Sequence, residues 1–223
     1  MKTKLYFIFN ILYILILTSF TSTDNKYQVQ EQNRVYPYLS DLEAEVISEL
    51  NLARSNPEKY VDFLTEYSNL FIGNALHEPG KIILMTKEGK GAVLEAIKFL
   101  KSQKEGLPTL IPSQGMSKGA RDMVQMQEET THVGHIGEDG STYVERISRY
   151  GTWQGSCSEN IDYGNNSARR IVMALIIDDG VGNRGHRKSV FNPDFRVAGV
   201  SCGNHATYRY MCVIEYAAGY KEK

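Results

Sequence analysis

Apolar positions along the chain repeat with two periods, and their order predicts the architecture. From Ser40 onward Leu42, Val46, Leu50 and Ala53 keep helical spacing, and Ser40 with Glu43 three residues on makes a capping box. This helix should end at Ser55-Asn56-Pro57, because proline disfavours helical backbone in the residue before it. Pro57 can open a second helix, with Tyr60, Val61, Phe63 and Leu64 on its apolar side. Residues 81–85 read as an extended apolar piece. Residues 92–100 read as a helix with Val93, Ile97, Phe99 and Leu100 inward. Pro108 and Pro112 mark a loop, after which Ser113 caps a helix through Met116, Ala120, Met123, Val124 and Met126. That methionine stripe reads as ordinary core, since methionine fills core gaps readily.

The second half changes period. Residues 141–150 read as a short helix that Gly151 terminates. Residues 159–163 form a short strand, and Ser167 caps a helix running to about Ile177. Residues 197–202 and 208–216 alternate with β-rich side chains, with residues 203–207 as the hairpin turn. Neither a repeat nor a low-complexity tract occurs. Helices precede strands rather than alternating with them, which predicts an α+β fold with an antiparallel sheet covered by helices.

Composition changes the picture mainly at the N-terminus. Lys2 and Lys4 precede an apolar run, residues 5–17, broken only by Asn10 and followed by small polar residues. That order is a secretory signal peptide, residues 1–22, with cleavage between about residue 19 and residue 23. A membrane-spanning helix needs ~20 apolar residues, so the run is short for an anchor. A polar lead-in follows over residues 23–38, then one domain over residues 39–223. Losing the two lysines takes the formal net charge from −1 to −3. With no Lys/Arg block, nucleic acid is not indicated as a partner, and no membrane span is expected after cleavage.

Secretion bears on the three cysteines, Cys157, Cys202 and Cys212. An oxidising compartment should bridge a pair. Cys202 and Cys212 flank the turn and can face each other across a hairpin; alternatively Cys157 pairs with one of them. Asn165-Asn166-Ser167 is a glycosylation sequon, so Asn165 becomes a candidate for a glycan.

The candidate chemistry sits in glycine-rich loops. Asp178-Asp179-Gly180-Val181-Gly182-Asn183-Arg184-Gly185-His186-Arg187 brings two carboxylates and an imidazole close together, the groups that bind metals and move protons near neutral pH. Acids at the end of a helix face an unfavourable dipole, which calls for a partner: Arg184, Arg187 or a metal. His135 lies in a second such loop, and Glu159 begins the strand of residues 159–163. His132, three residues before His135, would chelate with it on a helix, but Gly134 and Gly137 argue against one. His77 and His205 lie in predicted turns and have ordinary structural explanations.

The segment Gly134-His135-Ile136-Gly137-Glu138-Asp139-Gly140-Ser141, then Arg146-Ile147, Gly151, Glu159-Asn160-Ile161, Gly164 and Arg184-Gly185-His186-Arg187, resembles the CAP superfamily of cysteine-rich secretory, antigen 5 and pathogenesis-related proteins, in its microbial and protist branch. The resemblance covers roughly residues 40–219. It implies a three-layer α-β-α sandwich with a central antiparallel sheet. It also implies a cleft of two histidines and two acids: His135, Glu159, His186 and Asp178, where relatives commonly carry glutamate, with Asp179 as the alternative register. Ser158 stands where glycine is frequent.

From residue types, His135 and His186 are candidate ligands of a divalent metal such as zinc, with the carboxylates orienting the rings or holding water. The resemblance implies a secreted, non-enzymatic protein that binds a sterol, another lipid or an extracellular protein. Two alternatives stand beside it: a metal-dependent hydrolase or peptidase, and a cluster that only ties loops to the sheet. Neither Gly-x-Ser-x-Gly nor His-Glu-x-x-His occurs, so a hydrolase would have water as its only nucleophile.

Overall fold

The computed structural model describes residues 36–103 and 105–223. The expected signal peptide and most of the expected lead-in lie outside the described residues. The helices are α1 (Asp41–Ser55), α2 (Pro57–Ser68), α3 (Lys90–Ser102), α4 (Gln114–Gln127), α5 (Tyr143–Tyr150), α6 (Ala168–Ile177) and α7 (Gly185–Val190). The strands are β1 (Phe71–Ile72), β2 (Ala75–Leu76), β3 (Leu84–Met85), β4 (Ile111–Pro112), β5 (Gly151–Tyr163), β6 (Val197–His205) and β7 (Arg209–Glu222).

Local chemistry accounts for most of these boundaries. The capping box at α1 is formed: the Glu43 amide donates to Ser40 Oγ at 3.4 Å and the Ser40 amide to Glu43 Oε2 at 2.7 Å. Ser113 caps α4 by accepting from the Met116 amide at 3.2 Å. One expected cap differs: Ser167 occupies the N-cap of α6 but makes no capping hydrogen bond. Helix α5 starts at Tyr143 rather than residue 141, capped by Thr142 boxed with Glu145, while Ser141 turns its amide and hydroxyl to Asp139.

The main sheet runs β4-β6-β7-β5. Its three long strands are antiparallel, as expected, but β4 joins β6 in parallel, so the sheet is mixed at that edge. A second, small sheet joins β1, β2 and β3. Strand β5 is longer than expected, 13 residues, and a bulge lies between Gln154 and Cys157. Its first half is polar and mostly exposed, so no apolar alternation announced it. The hairpin turn is tighter than expected, because β6 continues through Gly203 to His205. The His205 ring replaces turn hydrogen bonds: Nδ1 accepts from the amides of Thr207 and Tyr208, at 3.1 and 3.3 Å, and the other ring nitrogen meets the His132 carbonyl at 2.9 Å.

Residues 211–217 of β7 are buried without interruption, because both faces of the sheet are covered. Cys212, Ile214 and Tyr216 pack with α1, α3 and α6, whereas Met211, Val213 and Ala217 pack under α4 and α5. That alternation makes three layers, α-β-α. Helix α4 lies tight on β6 at Gly199, where a Cβ would stand 2.2 Å from the Met116 carbonyl carbon. Cys202 and Cys212 are directly opposed in the β6–β7 ladder and form the disulfide; Cys157 is free and half-buried. Among the described residues no helix is long and apolar enough to cross a membrane.

Candidate functional site

Strand β5 is an edge strand, and its alternation sends Glu159 to the α4/α5 face and Asn160 to the α6/α7 face. On the first face the buried Glu159 carboxylate takes His135 Nδ1 at 2.8 Å on Oε1 and Arg146 Nη2 at 2.5 Å on Oε2. Arg146, fully buried on α5, also donates to the carbonyls of His135 and Ser141. One guanidinium therefore fixes both the acid and the loop that carries the histidine. On the second face Asn160 Nδ2 donates to the His186 carbonyl at 3.1 Å.

The other half-site is built where α6 gives way to α7. Asp178 ends α6 in a left-handed conformation, φ 57°, and swings its carboxylate away from that helix. Oδ2 accepts the His186 amide at 2.9 Å, at the start of α7, and Oδ1 meets His186 Nδ1 at 2.7 Å. The acid thus exchanges an unfavourable helix C-terminus for a favourable N-terminus. The last turn of α6 is satisfied instead by Arg187, which donates to the carbonyls of Ile176 and Ile177. Arg184 pairs with Glu88 and Glu95, not with either aspartate side chain. Asp179 points elsewhere, accepting the amides of Lys87 and Glu88, both at 2.7 Å. Asp178 is therefore the acid of the cleft.

The two rings meet across the edge of β5, their centroids 6.4 Å apart. Each Nδ1 faces a carboxylate, which places the ring proton there and leaves Nε2 as the free acceptor. The side chains are 47% and 25% exposed for His135 and His186, so both rings are open to solvent. An ion held by two imidazoles at about 2.0–2.1 Å sets their centroids between about 5 Å, for a tetrahedral angle, and about 6.4 Å, for a linear one. The observed spacing is at the open end of that range. No group of three or more histidine, cysteine or acidic side chains is arranged for a metal among the described residues. His132 turns away, its Nε2 at 3.0 Å from the Ile136 carbonyl.

Beside the cleft lies a cavity of about 380 Å³. Its lining is largely apolar, with Phe71, Leu84, Ile161 and Met173, and it reaches Asp178 and His186. Asp162 is a buried polar group on its wall, and burial pushes its pKa up to about 7. Asn165 offsets part of that by donating Nδ2 to both carboxylate oxygens, at 2.9 and 3.1 Å, and Arg170 and His186 also favour the charge. The amide that a glycan on Asn165 would use is thus already engaged.

A pH dependence follows for Asp162. The unfolded chain ionises this group near pH 4 and the folded chain near pH 7, so between these the folded state holds the extra proton. Its contribution to stability is full below about pH 4, falls as pH rises and levels off above about pH 7. Denaturation of wild type and Asp162→Asn across this range should show the wild type losing ground to the variant. A difference that does not vary with pH would contradict the assignment.

Two residues of this region had no role in the sequence reading. Arg146 appeared only as part of a motif. Glu215, fully buried on β7 opposite Glu159, carries a usable sequence signal: it is an acid within the apolar run Met211-Cys212-Val213-Ile214-Glu215-Tyr216-Ala217.

A sheet covered on both sides by helices, with histidine–acid pairs meeting over its edge strand, defines a class, and the sequence places the chain within it. The profile of the cysteine-rich secretory protein family, CAP, matches residues 47–216, and the chain belongs to that family. The uncharacterized protein YkwD of Bacillus subtilis (strain 168) is 28% identical over 98 residues, 44% of this chain and 36% of YkwD. The match thus spans about a third of that relative's length. Among solved structures, an outer surface protein from Borrelia burgdorferi is similar with a TM-score of 0.43 at 19% identity, over 58% of this chain and 89% of that one. An extracellular protein containing a SCP domain from Bacillus anthracis str. Ames is similar with a TM-score of 0.39 at 20% identity, over 56% and 38%.

Proposed function

We propose that this chain is a secreted binding protein whose cleft takes a divalent metal, zinc foremost, on Nε2 of His135 and His186. The observation that carries the reading is the matched pair of carboxylate–imidazole contacts, 2.8 and 2.7 Å, each engaging Nδ1 and leaving Nε2 uncommitted, on two rings whose centroids are 6.4 Å apart. Such contacts fix the tautomer and raise the basicity of a ligating histidine. A bound ion would supply a Lewis-acidic anchor for a donor group of the partner molecule, with water completing the shell. The adjoining cavity, at the small end of ligand pockets, suits the apolar part of a sterol or other lipid. The disulfide agrees with an oxidising, extracellular location.

Binding is favoured over hydrolysis by how the acids are used. A hydrolytic carboxylate must be free to take a proton from water. Here the Glu159 and Asp178 side chains are 0% and 1% exposed, out of reach of bulk water. Neither ring hydrogen-bonds a serine, threonine or cysteine side chain among the described residues.

Calorimetric titration with zinc tests the proposal. Wild type should bind one ion, His135→Ala and His186→Ala should lose binding, and Glu159→Gln and Asp178→Asn should weaken it about 10–100-fold. Equal affinity in wild type and both alanine variants would sink the metal site. Chelator-sensitive turnover of a peptide or ester, lost in Glu159→Gln, would favour the hydrolase instead.

A further inference from the structure

Glu215 lies opposite Glu159 in the β5–β7 ladder, with its side chain on the same face of the sheet. It is 0% exposed, and no donor of another described residue reaches either of its carboxyl oxygens. The charged and titratable groups around it are Glu159 and Cys157 on β5, Arg146 and Tyr143 on α5, and, along β7, Tyr220 and the adjacent Tyr216, whose ring lies on the other face. Gly199 occupies the ladder position on its other side. The surroundings therefore contain one cation for two buried carboxyl groups. That cation, Arg146, commits its Nη atoms to Glu159 and to two carbonyls, and its Nε has no partner.

Two ionised carboxylates cannot share one guanidinium in a dry interior without a large cost, and protonating one of them removes it. Glu159 is the one already engaged as an acceptor, because it holds Arg146 and His135 directly, whereas Glu215 meets no donor. Each of its oxygens accepts one donor and retains a lone pair for another. We infer that Glu215 is kept as a neutral carboxylic acid whose O–H donates to Glu159, which makes it the positioning residue behind the His135 ring. Burial and the neighbouring Glu159 charge both push Glu215 well above the usual carboxylate range, in agreement with the geometry. The cluster then has one carboxyl group, Glu159, that accepts from Arg146 and His135, and a second, Glu215, that donates to it. The proton is shared with or without an ion in the cleft, whereas any effect of Glu215 on zinc affinity rests on the metal-binding reading above.

Infrared spectroscopy of the secreted chain at about pH 9 tests this, because Asp162, with a pKa of about 7, is then ionised and silent. Wild type should retain the carbonyl band of a protonated carboxylic acid, and E215Q should lose it. Absence of the band in wild type, or its survival in E215Q, would overturn the assignment. The positioning role is read from the ring nitrogen NMR shifts of His135, which report its tautomer. E215Q can still donate a hydrogen bond and should keep the wild-type shifts, whereas E215L cannot and should change them; unchanged shifts in E215L would overturn that role. Should E215L fail to fold, a displaced His135 tautomer in E215Q would count against positioning in its place. Zinc should bind E215L about 10-fold more weakly and E215Q nearly as wild type. A wild type that binds no zinc but keeps the infrared band would remove the metal reading and leave the proton assignment standing.

Discussion

Arg146→Met should lower the unfolding free energy by about 3–5 kcal/mol, the usual cost of stranding one member of a buried ion pair. The methionine fills much of the same space, so the loss is electrostatic rather than a cavity. It leaves the buried Glu159 without its cation and releases the carbonyls of His135 and Ser141. Urea denaturation measures the effect directly. The double variant Arg146→Met/Glu159→Gln should recover much of the loss, since no anion is then stranded. A double variant no more stable than Arg146→Met alone would mean that the carbonyl contacts, not the ion pair, carry the cost.

Arg54→Met should be comparably damaging, about 3–5 kcal/mol, for a different reason. Arg54 is fully buried on α1 and donates to four backbone carbonyls: Pro108 at 3.0 Å, Val190 at 2.7 Å, Asn192 at 3.0 Å and Phe195 at 3.0 Å. Those carbonyls lie in the loop before β4, at the end of α7 and in the approach to β6. No carboxylate is involved, so a second substitution cannot relieve the loss. Arg54→Lys should also fail, because an ammonium lacks the planar fork that reaches carbonyls on three segments. Thermal or urea unfolding of both variants checks this; wild-type stability in Arg54→Lys would show that charge alone suffices there.

Sequence reading was strongest where one interaction decides one feature. The Ser40/Glu43 box, the proline break before α2 and the apolar rows of α1 and α4 each rest on nearby residues, and each is present. The first half of β5 was illegible because Gly151 to Ser158 is polar, and the long β7 ladder rather than its own composition makes it a strand. The turn between β6 and β7 was misjudged because Gly203 suggested a bend, whereas the His205 side chain closes the hairpin two residues later.

The candidate site was legible by type more than by arrangement. His135, Glu159 and His186 stood out as metal- or proton-handling groups in glycine-rich loops. The choice between Asp178 and Asp179 depended on a left-handed backbone at residue 178, which sends adjacent side chains to different partners. Arg146 and Glu215 were harder still. Their importance lies in what faces them across the sheet and from the next helix, information that no local spacing contains.

The place of the cleft on the sheet has a mechanical consequence. His135 is carried by the loop between α4 and α5, His186 by the first turn of α7 on the opposite side, and the free edge of β5 runs between them. Whatever bridges the two rings acts as a clasp, joining the outer layers of the sandwich around a long strand that, among the described residues, has no neighbour on its far side. Occupancy would then stiffen the least supported border of the domain, and the ligand would be felt as tension between layers rather than as a change at a single loop.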